Sequence, residues 1–97
     1  MVIDGIEYQP VNRESERLQI VVLDRGFVVV GLVSIADRYV TIRNCKCVRV
    51  WGTTRGLGEI ASGGPTSKTV LDPQPITRVH ELQVVQFIEC EPSKWIR

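Results

Sequence analysis

Long apolar runs and a basic N-terminal leader are both missing from this sequence. No stretch of its 97 residues approaches the ~18 consecutive apolar residues of a membrane-spanning helix. The N-terminal segment MVIDGIEYQP has neither the basic residues nor the apolar core of a secretory signal peptide. The formal net charge is only +1, so no global basic field attracts nucleic acid or an anionic membrane. These absences predict a cytoplasmic protein that has no membrane partner.

Cysteine and histidine are scarce. Three cysteines, Cys45, Cys47 and Cys90, are an odd number, and without an export leader reduced thiols are expected. A zinc site could be assembled from them and His80, but the C-x-C spacing differs from the C-x2-C or C-x4-C knuckles that structural zinc sites use. We interpret the cysteines as small buried apolar side chains. No metal and no cofactor are predicted.

Catalytic motifs are also missing. The sequence contains no G-x-S-x-G, no H-E-x-x-H and no D-x-D metal pair. His80, the single histidine, has no nucleophile near it in the sequence, and the carboxylates are scattered along the chain. The prediction is therefore a protein without enzymatic activity and without catalytic residues.

One short segment looks like a phosphate-binding loop. Residues 63–69 read GGPTSKT, with the first glycine, the lysine and the threonine of the G-x-x-x-x-G-K-[ST] pattern. Ser67 stands where that pattern needs its second glycine, and Pro73 and Pro75 prevent a following helix, so nucleotide hydrolysis is not expected. A weaker hypothesis remains, in which the loop contacts a phosphate; the alternative is an ordinary surface loop. The residues that would supply amides, hydroxyls or charge are Gly63, Gly64, Thr66, Ser67 and Lys68.

The pattern of β-branched runs and short turns predicts one domain, residues 1–97, of the α+β class and mainly β. We expect an antiparallel meander of about four to five strands with one short helix. The predicted segments are an N-terminal strand or arm (1–17), a β meander (18–51), a short helix (55–62), a loop (63–77), a final strand (82–90) and a tail (91–97). Within the meander, Gly31 indicates a bulge or a close backbone approach, and the third strand is expected to break near Cys45.

Two of these strands are apolar on both faces. The runs FVVV at 27–30 and VV at 84–85 lack the alternation of a half-buried strand. A single short helix covers only part of one face, so the second face needs another cover. Either the sheet curls into a partial barrel, or a second copy of the chain packs on it. The shortness of the chain favours the homo-oligomer.

A basic stretch runs through the third strand. Between residues 38 and 58 there is no Asp or Glu. In an extended strand Arg43, Arg49 and Trp51 share one face, and the alternate residues take the core face. Arginines beside an indole can bind phosphates, stack on bases or hold an acidic protein surface, whereas the alternative is a solvated outer face. The predicted ligand-binding residues are Arg43, Lys46, Arg49, Trp51 and Arg55, together with Gly63, Gly64, Thr66 and Lys68 of the loop.

The segment NCKCVRVWGTTRGLGEIASGG, residues 44–64, resembles a family of small phage and prophage proteins, a domain of unknown function. Its members have an N-A-[RK]-R-[IL]-W-x-W stretch, a short S-L-x-x-L-A-x-x-G helix and a final strand ending near I-x-C. The resemblance covers about residues 18–93, although Cys47 and Arg49 depart from the pattern. The matching positions are Asn44, Lys46, Trp51, Leu57, Ile60, Ala61, Gly64, Ile88 and Cys90. The resemblance implies a phage origin and the host cytoplasm, and no established activity.

These features together predict a non-catalytic phage accessory protein that acts by binding. Within that class we favour an oligomeric counter-defence protein. It would sequester a nucleotide immune signal, or it would block a host defence protein by binding an acidic surface on that protein. A nucleic-acid-binding regulator that uses the same basic strand is one alternative. A phage structural or assembly protein is another.

Overall fold

The computed structural model describes residues 16–95, and the predicted α+β, mainly β class is confirmed. The strands are β1 (Arg17–Leu23), β2 (Val28–Ala36), β3 (Tyr39–Val50), β4 (Val70–Pro73), β5 (Thr77–His80) and β6 (Val84–Glu89), and the helix is α1 (Leu57–Gly63). Short 3-10 turns occur at Asp24–Gly26, Glu81–Gln83 and Pro92–Lys94. Most of the predicted N-terminal arm, residues 1–15, lies outside the described residues. None of the helices within 16–95 has the length and hydropathy needed to cross a membrane.

The strands form one antiparallel sheet in the order β4-β3-β2-β1-β6, and β5 pairs with β3 beside β4. β1, β2 and β3 make the predicted meander because their connections are short. β5 and β6 lie on opposite sides of this meander, yet only the turn Glu81–Gln83 joins them. The sheet therefore curls, without pairing β5 to β6 among the described strands.

The strand count differs from the prediction because the segment between α1 and β6 is more structured than its composition indicates. β4 lies inside the predicted loop 63–77, and β5 follows it. β4 is short, ends at Pro73 and pairs only with β3, which is where a sheet tolerates proline. Its strand conformation depends on β3 as a template, and local composition does not reveal that.

Two apolar clusters occupy the two faces of the sheet. The helix-side cluster contains Ile20, Val28, Val30, Val48, Leu57, Ile60, Ala61 and Cys90. The curl-side cluster contains Val21, Val29, Val33, Val40, Ile42 and Cys45, with Leu23, Val79 and Val84 packed against it. The three valines of the FVVV run thus enter opposite clusters in alternation, whereas Phe27 is 65% exposed. Residues of β5 and β6 help to cover the second face, as expected of a curled sheet, but the apolar side chains of Ile35 and Phe87 remain 55% and 38% exposed. The homo-oligomer stays a prediction.

A bulge interrupts the pairing of β2 and β3. The register shifts between Val30 and Leu32, and Asn44 adopts a φ of 51°. Opposite the bulge, a Cβ on Gly31 would lie 2.6 Å from the Arg43 carbonyl oxygen and 2.7 Å from Cγ2 of Ile42. Of the two predicted alternatives at Gly31, the close backbone approach is confirmed, and the extra residue of the bulge lies opposite it on β3. The expected break near Cys45 is this bulge within a continuous β3.

The bulge also corrects the predicted faces of β3. Ile42 packs in the curl-side cluster, whereas Val48, six positions later, packs in the helix-side cluster. The extra residue at Asn44 reverses the alternation of side chains along the strand. The prediction that Arg43 and Arg49 share a face is therefore wrong.

α1 is held at both ends. The Glu59 carboxylate accepts hydrogen bonds from the backbone N–H groups of Thr54 and Arg55, both at 2.9 Å. At the other end Gly64 has a φ of 86° and its N–H donates to the Ile60 carbonyl at 2.8 Å. These contacts place the helix two residues later at its start and one residue later at its end than predicted, at Leu57–Gly63.

Candidate functional site

A cleft of about 300 Å³ opens on the helix side of the sheet. Its floor consists of Leu18, Val30, Gly31, Leu32, Asn44 and Lys46 on the first three strands. Its walls are Leu71, Pro65, Pro92 and Trp95. The lining is mostly apolar, with one amide and one ammonium group among the side chains. Such a composition is typical of small-molecule sites, where a few polar groups orient a mainly apolar contact.

Lys46 supplies the positive charge of the cleft. It follows the bulge, so its side chain lies on the same face as Val48, and its neighbours across the sheet are Val30 and Pro73. Within residues 16–95 no carboxylate lies at ion-pair distance from it. Lys46, a half-buried residue, can therefore offer its ammonium group to an anion in the cleft. Lys46 was among the predicted ligand residues.

Trp95 forms one wall of the cleft and was missed by the sequence analysis. Its indole Nε1–H donates to the Ala61 carbonyl at 3.4 Å, and its backbone N–H donates to Pro92 at 3.0 Å. The half-buried ring also packs against the helix-side cluster. These contacts join the end of the chain to α1, 34 residues away. The local sequence pattern of the tail does not predict these contacts. A tryptophan in a polar tail does indicate that the ring packs against another part of the protein.

Two of the predicted arginines are engaged in ion pairs. The Arg43 guanidinium donates two hydrogen bonds to Glu16, from Nε and from a terminal nitrogen, both at 2.7 Å. Arg49 Nε donates to Asp72 on β4 at 2.6 Å. Both carboxylates raise the pKa of their arginine through hydrogen bonding and charge. A ligand at either arginine would have to compete with these carboxylates.

The predicted loop and the end of β3 do come together. Thr66 Oγ1 donates to the Gly52 carbonyl at 2.7 Å, and Thr69 Oγ1 donates to the Trp51 carbonyl at 2.8 Å. The backbone of Lys68 lies directly against Gly52, where a Cβ would come within 2.4 Å of it. Trp51 is 42% exposed. We call this region the Trp51–Lys68 surface.

Backbone N–H groups of the loop 63–69 donate to hydroxyl groups of the same loop. The Thr66 N–H donates to Thr69 Oγ1 at 2.8 Å, and the Lys68 N–H donates to Thr66 Oγ1 at 3.1 Å. The Gly64 N–H serves the end of α1. These bonds fix the loop, but they remove the amides that a phosphate cradle would present.

The remaining predicted residues lie outside the cleft lining. Gly63 is the exposed last residue of α1, and the backbone N–H of Arg55 serves Glu59 at the start of that helix. The site residues predicted from the sequence are thus distributed over several places. Lys46 lines the cleft, whereas Trp51, Thr66 and Lys68 gather at the Trp51–Lys68 surface.

The cysteines and the histidine that were considered for a zinc site do not gather in one place. Cys45 belongs to the curl-side cluster and Cys90 to the helix-side cluster, on opposite faces of the sheet. Burial raises the pKa of Cys45, and it raises the pKa of Cys90 to about 11. The Nδ1 atom of His80 accepts a hydrogen bond from the Leu82 N–H at 3.1 Å. In the part of the chain that the structure describes, no three His, Cys, Asp or Glu residues converge as metal ligands do.

No protein-family model matches the chain, and no curated protein matches it. The resemblance to the phage family stays a prediction from the quoted residues.

Proposed function

We propose that this is a non-catalytic binding protein whose cleft holds a small anionic ligand of the nucleotide class. The observation that supports this most directly is the position of Lys46, which shares an apolar cleft with the indole of Trp95. An indole can stack on a base, and an ammonium group can neutralise a phosphate. The proposal moves the binding site from Arg43 and Arg49, which are held in ion pairs, to Lys46 and the cleft.

The size and polarity of the cleft favour a mononucleotide over a longer ligand. Small-molecule pockets commonly range from ~300 to ~1,000 Å³, and this cleft, at about 300 Å³, is at the lower end. A charge in a partly apolar cleft acts more strongly than one in open water, because the local dielectric constant is lower. One lysine can therefore contribute substantially to binding.

The biological role we propose is sequestration in the host cytoplasm. A protein that holds a nucleotide and does not transform it would lower the concentration of a signal. The resemblance to small phage proteins favours a counter-defence role. Blocking a host defence protein remains the alternative within the same class.

Native mass spectrometry with the four ribonucleoside monophosphates and their 3′,5′-cyclic forms tests the proposal. We expect at least one of them to be retained by the wild type. K46M should weaken its binding about tenfold or more, because a charge-assisted contact is worth ~1.5–3 kcal/mol. K68M removes the same charge at the exposed loop and should leave binding unchanged. Loss of binding in K68M but not in K46M, or no retained nucleotide, would contradict the proposal.

A nucleic-acid-binding regulator is the second candidate, and the Trp51–Lys68 surface favours it. The threonine hydrogen bonds join the backbone of Trp51 and Gly52 to the loop that carries Lys68. An exposed indole can stack on bases, and a lysine can contact phosphates. Binding to single-stranded DNA or RNA should then weaken steeply with salt and be lost in W51A. Salt-insensitive binding would argue against this candidate.

A further inference from the structure

β6 forms an open edge of the curled sheet. It pairs with β1 along one side, and within residues 16–95 no strand pairs with its other side. An unpaired edge presents backbone N–H and C=O groups to which another strand can bind. β6 therefore offers a row of backbone partners to a second chain.

The other two edges are better protected against such pairing. β4 and β5 also pair with only one described strand each, but both are four residues long. Pro73 ends β4, and Pro75 lies just before β5, which carries Arg78. Shortness, proline and charge are the features by which natural edge strands avoid association. β6 has six residues, no proline and a single charge, Glu89 at its end.

The side chains along the β6 edge are apolar and exposed. Leu82, in the turn before the strand, is 78% exposed, Val85 is 66% exposed and Phe87 is 38% exposed. At ~200 Å² for a large apolar residue, these fractions leave roughly 350 Å² uncovered. A partner in a standard interface contributes ~800 Å², of which ~500 Å² is apolar. The edge thus supplies most of the apolar area that a stable dimer needs.

The charge at this edge fits a second copy that runs antiparallel. The Glu89 carboxylate accepts hydrogen bonds from Arg17 at 3.1 Å and from Gln19 at 3.4 Å. In a dimer with a twofold axis between the two β6 strands, the strands are antiparallel. The two Glu89 residues then lie at opposite ends of the paired strands, so like charges do not face each other.

We propose that the β6 edge binds the β6 edge of a second copy of this chain, in an antiparallel pair that joins the two sheets. None of the described residues that line the cleft belongs to β6. The dimer is therefore independent of the proposed function.

Sedimentation velocity of the full-length protein tests the dimer. The concentrations should run from about 1 μM to about 500 μM, which covers the affinity of a small interface. We expect the wild type to be dimeric at the upper end. V85K should raise the dissociation constant of the dimer by about tenfold or more, because lysine on an edge strand opposes pairing. A wild type that is monomeric at every concentration would overturn the proposal.

Two further variants keep this test independent of folding. I76K is the matched control, because Ile76 is 64% exposed but lies before β5, and this variant should dimerise like the wild type. L82K changes the turn and leaves the strand intact, so it should weaken the dimer even if circular dichroism shows that V85K does not fold. A dimer that L82K leaves intact, or that I76K weakens as much, would overturn the proposal.

Hydrogen exchange distinguishes pairing of the strands from contact between side chains alone. Backbone amides of β6 in the wild type should exchange about tenfold more slowly at the upper concentration than at the lower one. L82K should show a smaller dependence on concentration. Slower exchange confined to β4 or β5, with the β6 amides unchanged, would place the interface elsewhere and overturn the proposal.

Discussion

Gly31 was identified from the sequence as a site of close backbone approach, and it also lines the cleft. It lies opposite the bulge of β3, with less room for a Cβ than real structures allow, and it forms part of the cleft floor. The nearest atoms are the Arg43 carbonyl oxygen and a methyl group of the fully buried Ile42. Neither atom can move without shifting β3, because both are held by the sheet.

We expect G31A to destabilise the protein by about 1–3 kcal/mol, the usual range for overpacking. The matched control is G58A in α1, where a Cβ meets nothing within 4 Å and alanine is the better helix former. Urea unfolding of both variants measures the difference. A G31A protein as stable as G58A would show that the close approach is not a constraint.

Glu59 provides a pH-dependent contact at the start of α1. Backbone hydrogen bonds from Thr54 and Arg55 lower its pKa below the ordinary value for glutamate. The folded state then binds the proton less tightly than the unfolded state. The stabilisation is thus present above the unfolded-state pKa and is lost as the pH falls through the lower folded-state pKa.

The wild type should therefore be more stable than E59Q at neutral pH. The difference should shrink as the pH falls below the ordinary glutamate pKa of about 4.3 and through the lower folded-state pKa. The difference in urea midpoint between the two proteins, measured across this range, reports it. E81Q, in the turn between β5 and β6, removes the same charge elsewhere. A difference between wild type and E59Q that is constant with pH would show that Glu59 acts by some other means.

At the scale of elements, β3 determines which side chains reach the cleft. Its bulge at Asn44 turns Lys46 and Val48 towards the helix side after Val40 and Ile42 have pointed to the curl side. Asparagine is among the few residues that adopt a positive φ readily. A residue that resists this backbone conformation should strain the strand at this point.

We expect N44V to destabilise the protein by about 1–2 kcal/mol more than N44G, because a β-branched residue disfavours the left-handed conformation and glycine accepts it. Both substitutions remove the amide side chain, so the difference between them isolates the backbone. Thermal unfolding measures it. Equal stability of the two variants would indicate that β3 can pair without the bulge.

The sequence could predict β1, β2, β3, α1 and β6, because runs such as LQIVVL and the spacing of Leu57, Ile60 and Ala61 are local patterns. It could not predict β4 and β5, which are four residues each and depend on β3 for their pairing. The bulge was anticipated at Gly31 from the glycine, but its effect on alternation was not. Predicting the reversed alternation requires knowing that the extra residue lies on β3, and the sequence does not reveal this.

At the scale of the whole molecule, the curl of the sheet and the return of the tail create the site. β5 and β6 help to cover one face, which leaves the other for α1, the cleft and Trp95. Lys46 could be named as a ligand residue from its charge. Trp95 could not, because its contact with Ala61 arises only when the tail packs beside α1. The sequence favoured Arg43 and Arg49 as ligand residues, but in the fold each forms an ion pair with a carboxylate. Arg43 pairs with Glu16, just before β1, and Arg49 pairs with Asp72 on β4.

A two-dimensional ¹H–¹⁵N NMR titration of the protein with the nucleotide that native mass spectrometry selects tests directly whether the cleft is the binding site. We expect the amide signals of Gly31, Asn44 and Lys46 and the indole N–H signal of Trp95 to shift together and to saturate with one dissociation constant. The amide signals of Gly52 and Lys68 should not shift. Shifts confined to Gly52, Trp51 and Lys68, with the cleft signals unchanged, would contradict the claim that the cleft is the binding site.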